Sequence, residues 1–330
     1  MPTPTVRPEQ QEWLQALAER RRRTLDTARA ATGDGDPGLP RAARELAEAL
    51  WALGRPRDAE RLLEEALTAG RRMLGDRHPE TLAALNGLAG VCQVLGDLDG
   101  ARVLYARCLA DRRQVLGQDH PDTLISMNNL ADLLRAGGDL DGAHALLADA
   151  ADRARRALGD RHPETLALLH NLAGVQADRG DLDGARARYE QVVAGRRPEL
   201  GDDHPDTLAS VNELATTLQA LGDLEAAYQL LAEAVPRTRR ALGDRHPDTL
   251  TAISNLAVAL QSLGDLQAAR DGHTHVLGLR AGVLGEHDPA TVDSMHHLAA
   301  TLFALGDHRG AAGLLQRAAL GSGGATRDRN

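Results

Sequence analysis

Between Thr123 and Ala136 the apolar residues Leu124, Met127, Leu130, Ala131 and Leu134 recur at steps of three and four. That spacing puts them along one stripe of a helix. Pro121 suits the first turn, where a missing N–H costs nothing, and Asp122 suits the positive end of the helix dipole. Gly138 is placed to end the helix in the left-handed conformation that glycine adopts without strain. Asp139 is placed to cap the next helix. That second helix is predicted from about Leu140 to Ala157, with Leu140, Ala143, Leu147 and Ala151 inward. Neither stripe can be buried by its own helix, so the pair needs neighbours.

The neighbours are supplied by repetition. LGDRHPETL begins at Leu74, and close copies begin at Leu116, Leu158, Leu200 and Leu242. A worn copy, LGEHDPATV, begins at Leu284. Each lies 42 residues after the last, as do Gly54, Gly96, Gly138, Gly180, Gly222, Gly264 and Gly306. Gly33 and Pro37 mark a degenerate first turn. The predicted organisation is a disordered N-terminus (1–11) and a capping helix (12–32), followed by seven repeats over 33–320. The repeats are 33–74, 75–116, 117–158, 159–200, 201–242, 243–284 and 285–320, and a flexible tail (321–330) closes the chain. Interior prolines at Pro198 and Pro236 are expected to remove a hydrogen bond and kink their helices.

Three positions per repeat carry a family resemblance. A leucine recurs as Leu46, Leu88, Leu130, Leu172, Leu214, Leu256 and Leu298. A small partner follows it as Ala47, Ala89, Ala131, Ala173, Ala215, Ala257 and Ala299. A second small residue stands early in the second helix as Ala59, Ala101, Ala143, Ala185, Ala227, Ala269 and Ala311. With the Gly-Asp turn between the helices, this resembles the tetratricopeptide repeat, and the 42-residue unit with its HPxTL motif resembles the kinesin light chain variant. The resemblance spans about residues 33–320. It implies an all-α fold, a right-handed α-solenoid of stacked helix-turn-helix repeats, with a groove lined by first-helix residues that holds a peptide or protein segment.

The groove positions implied in this way read Asn86, Asn128, His170, Asn212, Ser254 and His296, then Gly87, Asn129, Asn171, Glu213, Asn255 and His297. One turn later come Gln93, Arg135, Gln219 and Gln261. An asparagine amide both donates and accepts, so a ladder of them can bond a peptide backbone of any sequence. The competing expectation is that each asparagine bonds only its neighbours. The candidate peptide-binding residues are therefore Asn86, Asn128, Asn129, Arg135, Asn171, Asn212, Gln219, Asn255 and Gln261. The chaperone-binding subfamily, which clamps a terminal carboxylate with several basic groove residues, is excluded by the lack of lysine and the scarcity of groove arginine.

Composition narrows the choices further. Aromatic residues make up only 2%, with Phe303 the sole phenylalanine, so the core must be built of Leu and Ala in close helix packing. A net charge of −9 disfavours general nucleic-acid binding. All the non-histidine cations are arginine, which reads as the coding bias of a GC-rich bacterium. Cys92 and Cys108 show no zinc spacing and fall at apolar positions, as buried free thiols in a reducing compartment would. No apolar run approaches the ~20 residues of a membrane span. The opening residues lack the apolar stretch of a signal peptide. The expectation is a cytoplasmic protein.

Three clusters invite a chemical reading. His78, His120, His162, His204 and His246 lie one repeat apart, too far for a shared metal, and read as shaping the turn before proline. Six histidines crowd residues 273–308, where His273 and His297 could share a site, yet no Cys or HExxH accompanies them. Arg20 to Arg23 surround a helix axis, so one must lie near the stripe of Leu14, Leu17 and Leu25. Arg71, Arg113, Arg155, Arg197 and Arg239 recur near second-helix ends, opposite the dipole's negative pole. No nucleotide loop, GxSxG or catalytic Cys/His arrangement is present. No enzyme, cofactor or metal is predicted. The leading function is an adaptor or sensor that binds a peptide. The alternatives are a self-assembling scaffold and, behind it, a metal-dependent or small-molecule enzyme at the histidine-rich end.

Overall fold

A computed structural model describes residues 8–32 and 36–324, all helix and turn, with no strand among them. The chain divides into two compact units, residues 1–179 and 180–330. In the first unit α1 (Pro8–Thr32) packs on α2 (Leu39–Ala52), which pairs with α3 (Pro56–Met73). The hairpin α4 (Pro79–Leu95)/α5 (Leu98–Val115) follows, then α6 (Pro121–Ala136)/α7 (Leu140–Leu158), and α8 (Pro163–Asp178) lies against α6 and α7. In the second unit α9 (Leu182–Leu200) packs on α10 (Pro205–Leu221), which pairs with α11 (Leu224–Leu242). The hairpins α12 (Pro247–Ser262)/α13 (Leu266–Leu284) and α14 (Pro289–Ala304)/α15 (His308–Gly324) complete it. In each unit first helices neighbour first helices, as α2·α4·α6·α8 and α10·α12·α14.

The recurring residues do what their size requires. The alanines of the Leu-Ala pair and of the early second helix are at most 3% exposed in every repeat. A methyl group is the largest side chain that lets helix axes approach closely there. Leu124, Met127 and Ala131 of α6 are fully buried, and Leu147 of α7 with them. Each such leucine contributes about 1.5–3 kcal/mol by leaving water. The buried stripe of α6 differs slightly from the predicted one. Leu133 is buried while Leu130 and Leu134 are half-buried, because α6 is gripped by α5, α7 and α8 together. On α7 the buried set extends to Ala150 and Ala154, and Leu140 is half-buried.

Helix ends follow local chemistry. Gly138 takes φ +83°, and Asp139 Oδ1 accepts from Gly142 N at 2.9 Å. Each histidine of the HPxTL motif is an N-cap. Nδ1 of His78, His120, His162, His204 and His246 accepts from the backbone N two residues on, at 3.1–3.2 Å. In the worn copy Asp288 does the same for Ala290 N at 2.9 Å.

The boundaries at both ends shift from expectation. α1 begins at Pro8 rather than Glu12, because proline is well suited to a first helical turn. Residues 1–7 of the expected disordered segment and Gly33 lie outside the described residues. α15 runs on to Gly324, past the expected start of the tail at 321, and the remaining tail residues lie outside the description. α9 and α11 continue through Pro198 and Pro236 to Leu200 and Leu242. On α1 the buried stripe is Leu14, Ala18, Leu25 and Ala28, with Leu17 half-buried. Arg21 is the member of the arginine run that joins it, donating to Glu45 O on α2.

Candidate functional site

The first-helix face of each unit is polar and internally bonded. In the first unit Asn129 Nδ2 donates to Asn86 Oδ1 at 3.4 Å, and Asn171 Nδ2 donates to Asn128 Oδ1 at 2.7 Å. In the second unit Asn255 Nδ2 donates to Asn212 Oδ1 at 3.0 Å and to Thr216 Oγ1 at 3.1 Å. The rule is the same each time: the second amide of one repeat reaches back to the first amide of the repeat before. All six asparagines are half-buried. In the Asn129–Asn86 and Asn171–Asn128 pairs the link uses one N–H of one amide and one lone pair of the other, so both amides keep capacity for a further partner.

One turn along the helices a second row of contacts crosses between repeats. Gln93 Nε2 donates to Asp132 Oδ2 at 3.2 Å, and Arg135 Nε donates to Asp178 Oδ2 at 2.5 Å. In the second unit Gln219 Nε2 donates to Asn255 O at 2.8 Å, and Gln261 Oε1 accepts from Thr301 Oγ1 at 2.6 Å. Of the predicted residues, Gln219 touches the amide row through the Asn255 backbone, while Arg135 and Gln261 bridge to Asp178 and Thr301.

Sequence reasoning missed Trp51 and Phe303, which occupy this same position in the first and last repeats. Trp51 is 38% exposed and Phe303 63%. The Trp51 ring lies over Gly90, its Cη2 2.9 Å from where a β-carbon would stand. Reading the 42-residue register to its ends (Trp51, Gln93, Arg135, Ala177, Gln219, Gln261, Phe303) would have found both.

The histidine-rich end brings two of its members together. His273 and His297 stack with ring centroids 5.5 Å apart and planes 10° apart. His273 is 1% exposed, and its Nε2 has no hydrogen-bond partner. Burial, reinforced by His297, pushes the His273 pKa down to about 4. Burial also lowers His297, with Asp293 opposing. Parallel rings aim their nitrogens past each other, and among the described residues no three His, Cys, Asp or Glu side chains are arranged to hold a metal.

Other singled-out groups have structural roles. Cys108 is fully buried with its thiol 3.4 Å from Leu82 O, and Cys92 is 9% exposed. Burial raises both thiol pKa values. The second-helix arginines reach into the loop that follows: Arg71 to Asp76, Arg155 to Asp160, Arg197 to Asp202 and Arg239 to Asp244, at 2.5–3.5 Å. Among the described residues no helix is long and apolar enough to cross a membrane.

Family models described as tetratricopeptide repeat match residues 80–156, 138–198, 164–235, 206–281 and 252–319, and another matches 41–80. The chain belongs to the tetratricopeptide repeat family. Its repeats are of the kinesin light chain kind. A Podosopora anserina protein of kinesin light chain type, with nearly identical TPR-like repeats, is 32% identical to it. That match covers 63% of this chain and 99% of the other, with a TM-score of 0.54. BtubC from P. vanneervenii shares the fold at 21% identity and a TM-score of 0.57, over 72% of this chain and 93% of that one. So does a signal transduction ATPase with numerous domains, bearing a tetratricopeptide repeat sensor, from Pyrococcus horikoshii. It is 14% identical with a TM-score of 0.67, over 94% of this chain and 45% of that one. A search among curated proteins returned no match.

Proposed function

We propose that this tetratricopeptide repeat protein is a non-enzymatic adaptor or sensor that holds a peptide or protein segment on its first-helix face. The observation that carries the reading is the amide ladder. Its side chains are pre-positioned by one another, half-exposed, and keep donors and acceptors in reserve. Ordering them in advance lowers the entropy that a ligand must overcome. Amides also read backbone without demanding a particular side chain, which suits an extended or helical segment. The candidate contacts are Asn86, Asn128, Asn129, Arg135 and Asn171 in the first unit, and Asn212, Gln219, Asn255 and Gln261 in the second. The repeats of the kinesin-light-chain-like relative support the same class of role, as do the sensor repeats of the Pyrococcus ATPase.

The test is a partner recovered by pull-down from the native host. The change Asn128→Ala, Asn171→Ala and Asn212→Ala should weaken it by roughly 2–4 kcal/mol, at ~0.5–1.5 kcal/mol per neutral hydrogen bond if effects add. Arg155→Ala, whose side chain is committed to Asp152 and Asp160, should leave affinity unchanged. Equal affinity of the triple variant and the parent would move the binding surface elsewhere.

A further inference from the structure

The 42-residue repeat conceals a longer one in its buried positions. Reading one second-helix position along the chain gives Leu63, Tyr105, Leu147, Tyr189, Leu231 and His273, all at most 4% exposed. Three residues on, the series is Ala66, Cys108, Ala150, Val192, Ala234 and Val276. Four further, it is Gly70, Arg112, Ala154, Arg196, Thr238 and Arg280. So α5, α9 and α13 are one kind of helix, ringed and ending in arginine. α3, α7 and α11 are another, smaller and free of charge at these places. The core period is 84 residues.

The arginines meet the start of the next helix in one way. Arg112 Nη1 donates to Asp122 O at 2.7 Å and Ser126 Oγ at 2.8 Å. Arg196 Nη1 donates to Asp206 O at 2.7 Å and Ser210 Oγ at 2.6 Å. Arg280 Nη1 donates to Ala290 O at 3.2 Å and Ser294 Oγ at 2.9 Å. At the alternate junctions the serine position holds Ala84, Leu168 and Ala252, opposite Gly70, Ala154 and Thr238. Arginine and serine therefore come and go together. No carboxylate stands within ion-pair distance of any of the three guanidinium groups in the described structure. Arg112 and Arg196 are 5% and 8% exposed, and Arg112 Nε is buried without a partner. Burial pulls the pKa of Arg196 and Arg280 below the ordinary arginine value.

A guanidinium whose direct contacts are neutral acceptors keeps part of its desolvation penalty, with Asp206 offsetting some of it at Arg196 and Asp293 and Asp288 at Arg280. Opening an alternate junction exposes apolar surface and one buried threonine hydroxyl (Thr81, Thr165 or Thr249), but no counterpart of these arginines. Opening an arginine junction exposes apolar surface and returns a cation to water, so it costs less. We propose that the junctions α5/α6, α9/α10 and α13/α14 are built-in hinges, with Arg112, Arg196 and Arg280 as their pivots. The bodies that move are then pairs of repeats, α2–α5 within the first unit and α10–α13 within the second. Flexing at these junctions changes the spacing of the first-helix rows without disturbing the rows inside each pair.

Hydrogen exchange on the full chain tests this. Amides in the first turns of α6, α10 and α14 should exchange about tenfold faster than those of α4, α8 and α12, as local opening free energies differ within one fold. The second arm transplants the chain's own dry pair, Ala154 with Leu168, as Arg196→Ala plus Ser210→Leu. Exchange at α10 should slow to the level of α12, while α14 stays fast. Equal exchange at the two classes of junction in the parent chain overturns the proposal, and that comparison needs no variant. Faster exchange at α10 in the double variant also overturns it, because arginine would then be a latch rather than a pivot.

Discussion

Arg135 lies across Gly174: its Nη1 stands 2.7 Å from the position a β-carbon of that glycine would take, while its Nε holds Asp178 at 2.5 Å. Trp51 lies across Gly90 in the same way one pair of repeats earlier, with the Tyr105 hydroxyl also 3.2 Å from the virtual β-carbon. The two glycines are alike in backbone but not in what covers them. Arg135 is the far end of a flexible side chain and can lift away. The indole and the buried phenol cannot. Alanine in a helix interior is favoured over glycine by ~0.5–1 kcal/mol. Gly174→Ala should therefore be neutral or stabilising by up to about 1 kcal/mol, and Gly90→Ala should destabilise by about 1–2 kcal/mol from overpacking. Denaturant melts of the two variants check this, and the reverse order would contradict the assigned contacts.

The repeat alanines make a sharper test of packing. Ala131 and Ala215 are fully buried between helices. Ala131→Leu or Ala215→Leu should each cost roughly 1–3 kcal/mol. Asn128→Ala removes one half-exposed amide and should cost much less. Thermal melts of the three variants would show it, and equal harmlessness would refute the packing.

His273 predicts a pH dependence. Its folded pKa of about 4 lies below the ordinary 6.5. Between those values the unfolded chain binds the proton and the folded chain does not, so stability falls as pH drops. The loss begins near pH 6.5 and levels off near pH 4. At 1.36 kcal/mol per unit it reaches on the order of 3 kcal/mol. His273→Leu, the residue found at Leu231, should flatten that part of the profile. Urea titrations from pH 7 to pH 4 on both proteins measure it, and an unchanged slope would remove His273 as the cause.

The histidine caps are testable one at a time. His162→Ala should cost about 1 kcal/mol, the usual worth of an N-cap acceptor. His162→Asp should recover most of it, as Asp288 already serves the last repeat. Chemical denaturation at pH 7.5 distinguishes the two.

Helix order, caps and small-residue contacts were legible in the sequence because each depends on neighbours within one or two turns. Pro79, Gly96 and Asp97 act locally, so their pattern transfers directly to structure. The start of α1 was not legible, since a proline-rich opening reads equally as coil or as a first turn. The burial of Leu133 in place of Leu134 depends on helices arriving from both sides of α6. The 42-residue register aligned the candidate residues in rows along the first helices. Their mutual bonding was not legible, because Asn128 and Asn171 meet only through the stacking distance between repeats. The alternation of Tyr105 with Leu147 was present in the letters, but at twice the period that the turns announce.

Trp51 gives the first-helix face an optical consequence. The chain has two tryptophans. Trp13 is 61% exposed on α1, and Trp51 is partly sheltered against Gly90 in the first unit. A segment laid over that end of the face must desolvate the Trp51 indole while leaving Trp13 in water. Emission from the unlabelled protein then shifts to the blue in proportion to occupancy, and Trp13→Phe isolates the responding fluorophore. On the proposed function, loading at that end of the face is therefore read with no dye attached.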